Sequence, residues 1–141
     1  MMHARTIVMG LVGVWLLVLP GCQTGPTHLA PIDMTYGAPW RLMELRGDTV
    51  SLGPGVTLEL YAGGRVRGYG GVNHFHGVVR SNGPGEMVFG DLASTRRGGP
   101  PELMDLEQRY LQALGEVDRF RVSDVKLELL RGQTVVAKFV R

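Results

Sequence analysis

The sequence predicts an α+β fold: a curled antiparallel β-sheet or small β-barrel of about seven to eight strands, with one packed helix at about 101–115. Three observations lead there. Short apolar runs alternate with polar residues and are separated by hairpin-length clusters of turn residues, which implies antiparallel pairing because parallel strands need longer crossovers. The 21 Gly and 8 Pro exceed ordinary usage and imply many turns. Only one segment, behind Pro100-Pro101, carries apolar residues at helical spacing.

Trp40-Arg41-Leu42-Met43-Glu44-Leu45 opens the domain as a strand, and Gly47-Asp48 reads as its turn. In Val56-Thr57-Leu58-Glu59-Leu60-Tyr61 the apolar residues fall on one face, and Ala62-Gly63-Gly64 leads by a hairpin into Arg65-Val66-Arg67. The glycine-rich run through Gly77 follows. It reads as a tight, buried crossing, not as a phosphate cradle, since no Lys-Ser/Thr and no helix pattern come after it. Phe75, Gly77 and Val79 share one face of the next strand, and His74, His76 and Val78 the other. Ser81 to Gly85 closes that strand, and Glu86-Met87-Val88-Phe89 begins another.

In the helix, Leu103, Leu106, Tyr110 and Leu114 form a stripe expected to pack on the sheet. Glu102 and Asp105 sit where the helix dipole favours them, and Gly115 stands at the expected left-handed C-terminal position. Phe120-Arg121-Val122, Val125 to Leu129 and Thr134 to Val140 form a closing meander, broken at Ser123-Asp124 and Arg131-Gly132.

A chain of 141 residues with 44% hydrophobic side chains supports one domain. The net charge of +2 is interleaved along the chain, which argues against nucleic-acid binding. Residues 1–21 read as a signal peptide with a lipobox: Arg5 precedes an uncharged apolar stretch from Thr6 to Leu19, shorter than the roughly 20 residues that span a bilayer. Leu19-Pro20-Gly21-Cys22 looks like a bacterial lipobox, with the unusual Pro20, and assigns lipidation to Cys22, the only cysteine. Gln23, by resemblance to enteric-type sorting rules, favours an outer-membrane lipoprotein facing the periplasm. Residues 22–39 then read as a flexible tether in which His28 has no role, and residues 40–141 as the domain.

The central run resembles the signature of the META domain (HslJ-like) family: a Gly, a spacer, Gly-Cys-Asn, two or three residues and Gly. Here those positions read Gly68, Gly71-Val72-Asn73 and Gly77. The resemblance extends from Trp40 to Val140 through Trp40-Arg41-Leu42, Ser94-Thr95-Arg96 (with Thr95 as the motif residue), the Leu-rich helix and Phe139. It implies the same α+β arrangement. The family often carries two cysteines where this chain has Val72 and Gly99, which implies that these two positions lie close together in space.

Candidates for chemistry are few. His74 and His76, alternate residues on a strand, can face one metal ion, yet they are only two ligands and the usual zinc site has three or more. Ser94-Thr95-Arg96-Arg97 has the groups to bind an anion, although such a loop more often caps the approach to a helix. No nucleophile elbow or paired carboxylates are evident. The expectation is a non-enzymatic envelope module without cofactor, joined to the membrane by its N-terminal lipid and binding an envelope protein or amphiphile through its curved sheet. The resemblance implies a stress-related role. The rival is a small metal-dependent or hydrolytic envelope enzyme using His74 and His76.

Overall fold

The computed structural model describes residues 32–51 and 55–141. The leader, the Leu19-Pro20-Gly21-Cys22 element and His28 lie outside the described residues. A 3-10 helix, Ile32–Thr35, precedes the strands β1 (Trp40–Leu45), β2 (Asp48–Thr49), β3 (Thr57–Tyr61), β4 (Arg65–Tyr69), β5 (His74–Arg80) and β6 (Val88–Ser94). The helix α1 (Pro101–Gly115) comes next, followed by β7 (Arg119–Val122), β8 (Lys126–Arg131) and β9 (Thr134–Val140). Among the described residues no helix is long and apolar enough to cross a membrane.

All strand pairs are antiparallel, and the sheet order is β6-β5-β4-β3-β1-β9-β8-β7, with β2 paired to β1. The sheet curls without closing into a barrel. Its two edges approach at a single bridge, Glu86 to Arg119, where Met87 N donates to Asp118 O at 3.2 Å and Phe120 N to Gly85 O at 2.9 Å. The ninth strand beyond the expected seven to eight is the two-residue β2. It forms because the turn falls on Arg46 and Gly47, with φ of 50° and 91°, so Asp48 already pairs with Leu45 and is not part of the turn.

α1 links the two sheet edges, β6 and β7, and packs against the inner face of the curl. Leu106, Tyr110, Ala113 and Leu114 are buried on it, whereas Leu103 is only half-buried. Tyr110 is central to this packing: its ring meets Phe75 of β5 edge-on at 5.8 Å and Phe139 of β9 at 6.2 Å, and its hydroxyl donates to Thr57 O of β3. Complete burial drives the Tyr110 phenol well above its ordinary pKa. The helix ends differently from the expectation. Gly115 remains within α1, and Glu116 follows in right-handed geometry (φ −97°), because backbone bonds to Ala113 O and Leu114 O tighten the last turn without a left-handed residue.

The packed body also begins earlier than Trp40, inside the segment read as tether. Ile32 and Tyr36 lie against the core, and Trp40 Nε1 donates to Thr35 O at 2.7 Å. Arg141 closes over the same place, with its guanidinium 4.1 Å from the Trp40 ring and bonded to Tyr36 O.

Truncating Leu106 to Ala is expected to destabilise the domain by about 2–5 kcal/mol, the range for a fully buried Leu. Leu103→Ala should have a clearly smaller effect, and urea unfolding of the two variants measures the difference.

Candidate functional site

The glycine-rich run leaves β4 through a turn in which Gly70 N donates to Asn73 O at 2.8 Å. Gly71 takes φ 120°, a conformation costly for any residue with a Cβ. The turn delivers Asn73, 3% exposed, to a point where it uses its whole amide. Oδ1 accepts from Thr95 Oγ1 at 2.8 Å and from Arg97 N at 2.7 Å. Nδ2 donates to Glu107 Oε1 at 2.8 Å and to Arg97 O at 3.1 Å.

Glu107 comes from the buried stripe of α1 and is 6% exposed. A buried carboxylate is tolerated only when hydrogen-bonded, and three donors meet this one. Besides Asn73 Nδ2, Oε2 accepts from Asn73 N at 2.6 Å and from Val72 N at 3.1 Å. Gly70 makes room for it, since a Cβ there would stand 2.6 Å from Glu107 Cγ. Three segments, namely the β4–β5 turn, the loop after β6 and the helix, are thus joined through one amide and one carboxylate.

The loop after β6 brings Gly99 against Val72. A Cβ on Gly99 would lie 3.4 Å from Val72 Cβ and 2.8 Å from both of its methyl groups, so the two positions are neighbours in space as the resemblance implied. The other two motif glycines answer to close approach as well. A Cβ at Gly68 would meet Thr57 O at 2.2 Å and the Phe75 ring at 2.5 Å, and one at Gly77 would meet Asp91 O at 2.7 Å. Thr95 serves Asn73 directly, and Ser94 Oγ bonds to Thr95 O, so neither hydroxyl points to a separate anion.

The opposite surface of the same strands faces solvent. Its cross-strand rows are Thr57–Tyr69–His74, Glu59–Arg67–His76 and Tyr61–Arg65–Val78. Two adjoining depressions lie over it and share Arg67 and His76. One, ≈ 430 Å³, is lined by Tyr61, Arg65, Val66, Arg67, His76 and Gly77. The other, ≈ 440 Å³, includes Glu59, Tyr69 and His74.

Arg67 donates through Nε and Nη2 to Glu59 Oε2, at 3.2 and 3.0 Å, and its guanidinium lies 4.9 Å from the Tyr61 ring centre. The Tyr61 hydroxyl donates to the same oxygen. That hydroxyl first, and then Arg67, hold the Glu59 carboxyl below its ordinary pKa against the opposing effect of partial burial. With the folded pKa depressed, the stability from this cluster is present above the unfolded value and is lost as pH falls through the folded one.

His74 and His76 are both exposed, with the Tyr69 ring 5.0 Å from that of His74. Among the described residues no cluster of three His, Cys, Asp or Glu forms around them, and no protein group is hydrogen-bonded to either imidazole. Glu107 is the residue that the sequence reading passed over. Its signal was visible: position 107 is four residues after Leu103 and three before Tyr110, a carboxylate placed inside an apolar stripe.

Every group facing Glu107 is a donor, so Glu107→Gln must turn an amide NH₂ toward one of them. The substitution should destabilise the domain by about 1–3 kcal/mol, the penalty for a buried unsatisfied polar group. Chemical denaturation of an otherwise unchanged chain reads this out. The pair Val72→Cys with Gly99→Cys should oxidise in air and stabilise the domain by about 2–4 kcal/mol, since its Cβ separation of 3.4 Å is within about 0.1 Å of the disulfide range. A free-thiol assay together with the shift in unfolding midpoint tests that expectation.

Comparison with known proteins agrees with this architecture. The META domain family model matches residues 33–141. The NMR structure of a protein from Burkholderia xenovorans superposes with a TM-score of 0.65 at 20% identity, covering 99% of this chain and 96% of that one. The crystal structure of a DUF4847 family protein from Bacteroides vulgatus gives a TM-score of 0.59 at 11% identity, covering 77% of this chain and 95% of the other. At these identities the two structures share the fold alone. No curated protein matches the sequence. With the motif residues Asn73 and Thr95 bonded to each other and the family pattern spanning residues 33–141, this chain belongs to the META domain family.

Proposed function

We propose that this protein is a lipid-anchored envelope protein of the outer membrane, whose META domain is a non-enzymatic, stress-related binding module working through the outer face of β3, β4 and β5. The observation that carries the reading is a division of labour between the two faces of these strands. Asn73 and Thr95 are consumed in an internal network with Glu107, whereas Arg65, His74 and His76 turn outward with no hydrogen bond or ion pair from their side chains to a described protein group. A surface of unengaged donors suits recognition of a partner or amphiphile in the envelope. The anchoring rests on the apolar leader and on Leu19-Pro20-Gly21-Cys22.

Two measurements test this. Mass spectrometry of the mature amino terminus should find Cys22 diacylglyceryl-modified and first in the chain. An unmodified Cys22 would remove the anchor. A photo-crosslinker at His76 in intact cells should trap a defined envelope partner, and one at Gln112 on the exposed side of α1 should not. Equal labelling from both positions would overturn the assignment of the binding face.

A further inference from the structure

We infer that the depression lined by Tyr61, Arg65, Arg67 and His76 binds the phosphate group of a small soluble phosphate monoester. The inference rests on the binding-module reading and names the ligand class for that same face. Arg65 and Arg67 are alternate residues of β4 and project from one face, and His76 stands directly across from Arg67 on β5. All three line one depression of ≈ 430 Å³.

The donor set is what selects phosphate. Among the described residues the Arg65 guanidinium has no ion pair or side-chain hydrogen bond, and neither does the His76 imidazole. Arg67 commits Nε and Nη2 to Glu59, which leaves Nη1 unengaged. A single carboxylate presents two coplanar oxygens that one guanidinium satisfies, whereas a phosphate monoester presents three oxygens in different directions. Three donors placed around one hollow match the second acceptor.

Glu59 lines the adjoining hollow and not this one, and it meets Tyr61 and Arg67 at the wall the two share. Its role here is to fix Arg67, which is further held by lying over the Tyr61 ring, and a donor fixed before binding loses less entropy on binding. The hollow also exceeds a phosphate in size. Its volume falls within the roughly 300–1,000 Å³ of small-molecule sites, which leaves space for the esterified group beside Tyr61.

The test titrates the detergent-solubilised full chain with glucose 6-phosphate and with glucose, following backbone and arginine Nε–H resonances by NMR. Saturable shifts confined to Tyr61–Arg67 and His76–Gly77 are expected with glucose 6-phosphate and absent with glucose. Arg65→Ala, an exposed position, should weaken binding by about tenfold or more, as expected for loss of a charge-assisted contact. Arg96→Ala, an equal charge change in the exposed loop, should weaken it less than about twofold. No saturable shift, or equal loss in both variants, would overturn the site. Binding to phosphatidylcholine vesicles containing phosphatidic acid, with none to glucose 6-phosphate, would overturn the soluble ligand and point to a lipid headgroup. A protein crosslinked at His76 whose capture glucose 6-phosphate does not reduce would overturn the inference and leave the binding-module reading intact. Phosphate binding by a chain lacking lipid at Cys22 would support the site and remove only the anchor.

Discussion

The contact between Asn73 and Glu107 sets how α1 and the loop that feeds it sit on the sheet. α1 has to carry the chain from β6 at one edge to β7 at the other, and an apolar stripe alone lets a helix slide or rotate over a curved face. Directional bonds remove that freedom. Glu107 accepts from Val72 N and Asn73 N, which are backbone groups of a turn whose geometry glycine dictates, so the helix is registered against main chain as well as side chains. Thr95 and Arg97 then complete the Asn73 amide and hold the loop that feeds the helix. A polar cluster this buried is sustainable because it is fully satisfied: among the described residues no buried side-chain nitrogen or oxygen lacks a partner.

The same economy of space shapes the sheet. Where β3, β4 and β5 pass the helix, Gly68 faces Phe75 across the ladder, and the missing Cβ lets the Phe75 ring lie over β4 and reach Tyr110. Bulky residues on the inner face would force the strands and helix apart. With glycine there, the sheet curls tightly enough for its edges to touch at Glu86 and Arg119, yet the contact is one bridge and not a ladder. Curling also divides the roles of the two faces. Side chains at odd and even positions of β4 and β5 go to opposite sides, so the residues beside the motif glycines, Arg67, Tyr69 and His76, are carried outward by the same strands that bury Val66 and Phe75.

How much of this was legible in the sequence depends on whether a feature is local. The strands β1, β3, β5 and β9, the helix over Pro101–Gly115 and the two faces of β5 follow from alternation, helical spacing and turn residues, each of which acts within a few positions. The motif also placed Val72 near Gly99 by resemblance. Glu107 was in view as a carboxylate within an apolar stripe, but its partners lie 34 and 35 positions away, and no local rule supplies them. The packing of Ile32 and Tyr36 escaped for a related reason, since a segment rich in prolines and glycines shows no period even when the nearby Trp40 and the distant Arg141 hold it.

What the sequence by itself determined was therefore the inventory: an α+β fold, antiparallel strands, an α-helix packed on the sheet and the identity of the motif residues. Side-chain period and turn chemistry are properties of adjacent residues, and they survive without knowledge of the rest of the chain. Tertiary structure alone decided that the sheet stays open, that Glu107 joins Asn73, and that Arg65, Arg67 and His76 share one hollow. Each of these depends on strand register and on sheet curvature. Both are set by packing between residues far apart in the chain, where a shift of one position would exchange the buried face for the exposed one.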